Sequence, residues 1–184
     1  YVKQGGMNRR QAGEDFYFLQ KISWLGPISE LSTVPVFPSP RLSGRVPFGT
    51  GKAVGDYIES GQQTTYPLQA YRDVEWLILQ ANPLWESGRF SEPPPNVLKR
   101  FLGEAFIESV VPEIRHNSSG AEAFRKRFFR WFNAFRLMKY LNFARDKKYG
   151  AIPVETAARA LLNEMGVASI NENAAELLRR YRQL

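Results

Sequence analysis

The stretch AFRKRFFRWFNAFRLMKYLNFARDKK, residues 123–148, combines aromatic and basic residues with a regular spacing. Its apolar residues recur at i, i+4, i+7, i+8, i+11 and i+14, which places them on one side of an α-helix. They are Phe124, Phe128, Trp131, Phe132, Phe135 and Met138. Nine Lys or Arg residues and one Asp lie between Phe124 and Lys148, so the opposite side is basic. The pattern predicts one long helix from Ala121 to about Lys147, and a mainly α-helical fold around it.

Three interpretations of this predicted helix are open. In the first, its aromatic side packs in a helical core and its basic side is solvated. In the second, it lies on an anionic membrane surface, as basic and aromatic amphipathic helices do. In the third, its charge attracts nucleic acid. No helix-turn-helix, zinc or RNA-binding signature accompanies it, so nucleic acid is the least favoured partner.

Residues 56–184 as a whole have the spacing of several amphipathic helices joined by turns. Prolines, glycines and capping residues between the apolar periods mark where each helix begins and ends. This part of the chain is therefore predicted to contain five or six helices. The predicted segments are a helix over 68–81, a linker over 82–96, an amphipathic helix over 97–111 that Pro112 interrupts, a turn at 116–120, a helix over 153–166, and a last helix capped at Asn171 or Asn173.

Residues 1–55 differ from the rest because Gly, Pro and Ser are frequent there. One helix is predicted from Glu14 to Trp24. The run ISELSTVPVFPSP, residues 28–40, predicts one or two edge strands, because its valines favour a strand and its prolines exclude a central one. We therefore predict two parts, a short α/β segment at 1–55 and a helical domain at 56–184.

The overall composition limits the class of protein. The chain has 184 residues, of which 43% are hydrophobic and 14% aromatic, so it can bury a sizeable core. Its net charge of +7 suits polyanionic partners without naming one. It contains no cysteine, which excludes disulfides and thiolate zinc sites. No apolar run approaches the ~20 residues that a membrane-spanning helix needs.

Two adjacent acids, Glu14 and Asp15, open the first predicted helix. Acids in a first turn stabilise a helix through its dipole, and this explanation is sufficient by itself. The alternative is a catalytic carboxylate, because an oriented carboxylate at a helix start can take a proton from a hydroxyl group. His116, the single histidine, lies in a predicted polar turn and is not expected to take part in catalysis or metal binding. Among the tryptophans, Trp85 is the one expected to be exposed.

The segment YVKQGGMNRRQAGEDFYFLQKI, Tyr1 to Ile22, resembles the acceptor-side segment of family 2 glycosyltransferases with the GT-A fold. In that family the segment runs from a small helix, through Gly-Gly and a large apolar residue, to a Glu-Asp pair that opens a helix. Gly5-Gly6-Met7 matches the first step, and Gly13-Glu14-Asp15 matches the second. The resemblance covers roughly the first 25 residues well and about 50 loosely.

The resemblance implies an inverting transfer of a sugar from a nucleotide-diphosphate donor to the hydroxyl group of a glycan or other acceptor. Asp15 would be the general base that deprotonates the acceptor, and Glu14 would orient the acceptor or the base. The family's nucleotide-binding strands and Asp-x-Asp metal motif come before this segment. The donor site and a divalent metal, Mg or Mn, are therefore expected before Tyr1. No metal ligand is predicted in the chain itself, which alone is expected to be inactive.

The segment RLSGRVPFGTGKAVGD, residues 41–56, is predicted to be a loop rich in glycine and cations. Its simplest interpretation is a cationic surface loop. As an anion clamp, Arg41 and Arg45 would each fork two hydrogen bonds to phosphate oxygens, and Ser43 and Thr50 would add hydroxyl donors. In the resembled family, the segment after the catalytic helix passes the donor pyrophosphate or the acceptor. The resemblance thus implies that these four residues stabilise the leaving diphosphate.

The chain could instead be a binding module without catalytic activity. In this alternative the helical part docks a partner protein or an anionic membrane surface through residues 121–148. A non-specific nucleic-acid binder is the third hypothesis, and it rests on charge alone. We expect a cytoplasmic location, with peripheral attachment to a membrane as an open alternative. Homodimerisation is one way to cover unpaired strand edges in the first part.

Overall fold

The structure is a computed structural model that describes residues 5–7, 13–22, 29, 50–167 and 172–184. Contacts between Cα atoms divide the chain into two units, Tyr1–Gln63 and Thr64–Leu184. Within the described ranges the fold is mainly α-helical, which confirms the predicted fold class, and the β-structure there is one two-stranded sheet. None of the helices in these ranges has the length and apolar character needed to cross a membrane.

The first unit contributes helices α1 (Glu14–Ile22) and α2 (Thr50–Ser60) to its described part. α1 begins at the residue predicted from the sequence. The loop predicted over 41–56 is wrong from residue 50 onward, where α2 begins. An ion pair at i,i+4 spacing stabilises α2 on its exposed side, with 2.8 Å between Lys52 Nζ and Asp56 Oδ1.

The predicted division after residue 55 falls inside α2, whereas the division by contacts follows Gln63. The strands predicted from Val34 and Val36 lie outside the described residues, as does the end of the first predicted helix at Trp24. The described part of the first unit therefore consists of two helices and the glycine turns that precede α1.

The second unit is a set of short helices with a small sheet. Strand β1 (Thr64–Thr65) pairs antiparallel with β2 (Ile152–Pro153), and Thr64 lies opposite Pro153. This sheet joins the first residues of the unit to the start of its C-terminal helices. The helices are α3 (Leu68–Leu79), α4 (Ala81–Ser87), α5 (Asn96–Leu102), α6 (Val111–His116), α7 (Ala121–Trp131), α8 (Ala134–Ala144), α9 (Val154–Glu164) and α10 (Ala174–Tyr181), with π-helical turns at Phe106–Val110 and Arg145–Tyr149.

The part of the predicted aromatic side that runs from Phe124 to Phe132 belongs to the hydrophobic core of this unit. Phe124 and Phe128 are fully buried and stack with 6.0 Å between their ring centroids. Phe106 meets Phe128 edge-on at 6.4 Å. Trp85, which the sequence predicts to be exposed, is half-buried and packs against Phe124 at 5.8 Å. The burial of Phe124, Phe128 and Phe132 confirms a core-facing aromatic side for the first part of the predicted helix, whereas Phe135 and Met138 are only half-buried and lie outside the core cluster.

The single long helix predicted from Ala121 to Lys147 is wrong, because the chain breaks between α7 and α8. The side chain of Asn133 accepts hydrogen bonds from the backbone N–H groups of Phe135 and Arg136, both at 3.1 Å, and so caps a new helix. Phe132 just before it leaves helical geometry, with φ −87° and ψ 64°. Two helices and a π-helical turn therefore replace the predicted single one.

Two other predicted boundaries are corrected. The first part of the linker predicted over 82–96 is helix α4, which buries Leu84 and ends at Gly88, where φ is 73°. Pro112 does not interrupt a helix, because it lies in the first turn of α6, where no N–H donor is required. The interruption falls at Gly103, with φ 71°. These breaks give more and shorter helices than the five or six predicted.

The C-terminal helices follow their predicted boundaries. α9 ends before Gly166, which adopts a φ of 76°. Of the two predicted caps for α10, Asn173 is the one used: its Oδ1 accepts from the N–H groups of Ala175 and Glu176 at 3.0 Å. Glu176 Oε2 accepts in return from the Asn173 N–H at 2.8 Å, which completes a capping box. Asn171 lies outside the described residues.

Candidate functional site

Asp15, the predicted general base, lies in the first turn of α1 with an exposed side chain. Its Oδ1 atom accepts a hydrogen bond of 2.7 Å from the backbone N–H of Phe16, one of the donors that lack a partner within the helix. Gly13, directly before the helix, has a left-handed φ of 74°. The carboxylate of Asp15 is thus oriented at the positive end of a helix and open to solvent. An approaching hydroxyl group could give it a proton.

The Gly-Gly step of the resembled motif contacts the same helix. Gly5 and Gly6 have φ values of 70° and 62°, a conformation that glycine adopts without the steric cost of a Cβ atom. Gly6 is buried, and its carbonyl oxygen accepts a hydrogen bond of 3.4 Å from Lys21 Nζ. The structure therefore brings both matching steps of the motif to α1, with the glycines near its last turn and Asp15 in its first.

The other predicted site residues are only partly described. Glu14 is the first residue of α1, and Thr50 is the first residue of α2, but the side chains of both lie outside the described part of the structure. Arg41, Ser43 and Arg45 lie wholly outside the described residues. Their role at a diphosphate thus stays a prediction.

A metal site is absent from the described part of the chain. No three His, Cys, Asp or Glu side chains of the residues described are grouped so that they could hold a metal ion. His116 is exposed at the end of α6. The described residues do not fit a resident metal, so the cation that the resemblance implies would need ligands from other residues.

A buried carboxyl group, which the sequence did not single out, lies in the second unit. Asp73 on α3 is 1% exposed. Its Oδ2 atom accepts hydrogen bonds from the hydroxyl of Tyr149, at 2.7 Å, and from the hydroxyl of Tyr140. Its Oδ1 atom accepts from Gln69 Nε2 at 3.2 Å. No cation forms an ion pair with Asp73 among the described residues, so phenol and amide donors stabilise it.

The two phenols of this cluster are held in their protonated form. Burial raises the pKa of Tyr140 well above its ordinary value, and the hydrogen bond to Asp73 adds to the effect. The same two causes, in the same order, raise the pKa of Tyr149. Neither phenol is therefore suited to give up a proton near neutral pH. The cluster joins α3, α8 and the π-helical turn at Arg145–Tyr149, which is a structural role.

The cations of residues 121–148 do not form one continuous basic face. Lys126 pairs with Glu122 at 2.6 Å, and Arg145 pairs with Asp146 at 2.7 Å. The guanidinium carbon of Arg136 lies 4.0 Å from the ring centroid of Trp131. Within the part of the chain that the structure describes, six exposed cations of this segment have no ion pair: Arg125, Arg127, Arg130, Lys139, Lys147 and Lys148. With Phe124, Phe128 and Phe132 buried in the core, positive charge is the main property that the exposed side of this segment presents.

Comparison of the chain with protein-family models, with curated proteins and with solved structures gave no match. Its function must therefore be inferred from its own residues. The start of α1 is where a candidate motif and a described geometry coincide: Gly13 has a left-handed φ, and the carboxylate of Asp15 accepts a hydrogen bond from the Phe16 N–H.

Proposed function

We propose that the chain is the acceptor-side part of an inverting family 2 glycosyltransferase, with Asp15 as the general base. The observation that supports this most directly is the exposed carboxylate of Asp15, which the Phe16 N–H orients at the start of α1. The left-handed glycines are a second support. Gly5 and Gly6, which match the Gly-Gly step of the resembled motif, and Gly13, which precedes its Glu-Asp pair, all have a left-handed φ that other residues rarely adopt.

The proposed reaction is a single displacement. The acceptor hydroxyl gives its proton to the carboxylate of Asp15 while its oxygen attacks the anomeric carbon of the donor sugar. The bond between that carbon and the diphosphate oxygen breaks, and the nucleotide diphosphate leaves with the electron pair. Attack from the side opposite the leaving group inverts the anomeric configuration. Glu14 orients the acceptor or the base in this scheme.

The leaving diphosphate needs positive charge and hydrogen-bond donors. The proposal assigns this task to the guanidinium groups of Arg41 and Arg45 and to the hydroxyl groups of Ser43 and Thr50, which suit phosphate oxygens. The proposal assigns neither the nucleotide nor the divalent metal that would offset the diphosphate charge to the described residues of this chain. No step is assigned to a metal ligand of this chain.

The test compares Asp15→Asn with Glu59→Gln in the full-length gene product. Glu59 is an exposed acid of α2, so its substitution removes one negative charge from another helix of the same unit. Release of nucleotide diphosphate is measured with UDP-, GDP- and dTDP-sugars and a panel of hydroxyl acceptors. Loss of a general base lowers the rate by about 100-fold or more. We expect that loss for Asp15→Asn with donor binding retained, and ordinary release for Glu59→Gln.

Donor binding and circular dichroism separate the possible causes of a low rate. Equal release by wild type and Asp15→Asn would exclude Asp15 as the base and leave the two acids as partners of the helix dipole. If Asp15→Asn loses both donor binding and the helical circular-dichroism signal, the variant is misfolded. In that case Asp15→Glu, which keeps a carboxylate, is compared with Asp15→Asn.

A further inference from the structure

An open cleft of about 270 Å³ lies between α6 and α7 in the second unit. It is lined by Glu113, Ile114, Asn117, Arg127, Arg130 and Trp131. Arg127 and Arg130 are three residues apart and therefore lie on neighbouring positions of one side of α7. Arg125 and Lys126 do not line the cleft. Of the four cations in this part of α7, only the two guanidinium groups of Arg127 and Arg130 line the cleft.

Two of the residues that line the cleft, Trp131 and Asn117, are held by contacts within the protein. The ring of Trp131 lies 5.0 Å from the Phe106 ring, between centroids, and Arg136 Nη1 donates a hydrogen bond of 2.6 Å to the Trp131 carbonyl. The side-chain amide of Asn117 donates to the Glu113 carbonyl at 3.0 Å. Because the indole and the amide are already held, a ligand would bind without the entropic cost of ordering them.

The charges in the cleft favour one kind of ligand. Arg127 and Arg130 have no ion pair among the described residues, and two neighbouring guanidinium forks match the oxygens of a phosphate group. Glu113 on the opposite wall repels a second anionic group but accepts hydrogen bonds from hydroxyl groups. The small volume suits a compact molecule. A ligand with one phosphate group and several hydroxyl groups satisfies all of these conditions.

We propose that the cleft between α6 and α7 binds a phosphorylated polyol. Its phosphate group lies against Arg127 and Arg130, and its hydroxyl groups lie toward Glu113 and Asn117. A nucleic-acid strand fits less well, because successive phosphates would meet the carboxylate of Glu113. The same chemistry is present in a free sugar phosphate and in the phosphoinositol headgroup of a lipid. The site does not depend on the role proposed for Asp15.

The main test measures, by titration calorimetry, the affinity of glucose 1-phosphate for the whole wild-type chain and for two double variants of it. Arg127→Gln/Arg130→Gln and Arg125→Gln/Lys126→Gln each remove two positive charges from α7, but only the first pair lines the cleft. Loss of charge-assisted hydrogen bonds from two residues corresponds to about tenfold weaker binding or more. We expect that loss in the first variant and a change within about twofold in the second.

Specificity is tested with Glu113→Gln, inorganic phosphate and vesicles. We expect Glu113→Gln to bind inorganic phosphate more tightly and to lose preference for glucose 1-phosphate over inorganic phosphate, because the charge repulsion is removed and one of the two oxygens that accept from hydroxyl groups is replaced by an NH₂ donor. Binding to phosphatidylcholine vesicles that contain phosphatidylinositol 4-phosphate, without binding of the soluble sugar phosphate, would assign the site to a lipid headgroup. Failure of both probes to bind, or equal losses in the two double variants, would overturn the proposal.

Discussion

Asp73 shows how one buried residue can hold several elements together. Its carboxyl group accepts hydrogen bonds from Gln69 on its own helix, from Tyr140 on α8 and from Tyr149 in the π-helical turn after α8. A buried acceptor that loses a donor cannot replace it with a hydrogen bond from water. The loss therefore costs more than the small net contribution of an average hydrogen bond.

We predict that Tyr149→Phe lowers the free energy of unfolding of the second unit by about 1–3 kcal/mol, because Oδ2 of Asp73 keeps the Tyr140 hydroxyl but loses the other of its two donors. Tyr71→Phe is the matched control, since Tyr71 lies on α3 with 44% of its surface exposed. An exposed substitution of this kind changes the free energy of unfolding by about 0.5 kcal/mol or less. Urea denaturation followed by tryptophan fluorescence measures both variants, and equal small changes would show that the Asp73 cluster adds no stability.

The two aspartates differ in how far the sequence reveals them. Asp15 could be found because its partner groups are local: a preceding glycine, a neighbouring acid and the helix that follows. Asp73 has a weaker local signal, an acid among the apolar positions of α3 between Ala70 and Leu77. Its phenol partners lie 67 and 76 residues away along the chain, and nothing in the local pattern connects them.

Helix boundaries could be predicted where a local cap or stop residue decides them. Gly166 marks the end of α9, and Asn173 marks the start of α10. The break between α7 and α8 could not be predicted from periodicity, because both helices bury aromatic residues in the same core and the apolar spacing continues across Asn133. An asparagine in such a run can lie in the helix or cap a new one, and tertiary packing decides which.

We predict that Asn133→Ala lowers the free energy of unfolding of the second unit by about 1 kcal/mol, because two N–H groups at the start of α8 lose their acceptor. Asn133→Asp keeps the acceptor oxygen and is expected to remain within about 0.5 kcal/mol of wild type. Thermal and urea denaturation measure the two variants side by side. Wild-type stability in Asn133→Ala would mean that packing alone fixes the break.

The fold class of the whole molecule could be predicted because most of its helices carry an apolar stripe of their own. The pairing of β1 with β2 could not be predicted, since the two strands are two residues each and lie far apart in sequence. The predicted basic face was only partly right in physical terms. Some of its cations form ion pairs or lie over an aromatic ring, two line the cleft at Arg127 and Arg130, and others, such as Arg125 and Lys148, are exposed without an ion pair among the described residues, so the environment of each depends on packing that the sequence does not show.

The two phenols that bind Asp73 make the free energy of unfolding of the second unit depend on pH in the alkaline range. Burial and the hydrogen bonds to Asp73 raise the pKa of Tyr140 and Tyr149 above the ordinary value of about 10. Near and above that pH the unfolded chain loses these protons while the folded protein keeps them. The unfolded state then binds fewer protons, so the free energy of unfolding falls as the pH rises. The contribution is complete below the unfolded pKa and is lost as the pH rises through the folded values.

We therefore predict that the unfolding free energy of wild type falls more steeply above about pH 10 than that of Tyr149→Phe, which has one fewer phenol to titrate. Each fully retained proton contributes a slope of up to about 1.4 kcal/mol per pH unit. Lysines also titrate in this range, but both proteins contain the same ones, so the difference between the two slopes isolates Tyr149. Urea denaturation at a series of alkaline pH values gives both curves. Parallel curves would mean that Tyr149 loses its proton equally easily in the folded and unfolded states, and the hydrogen bond to Asp73 would then not hold it.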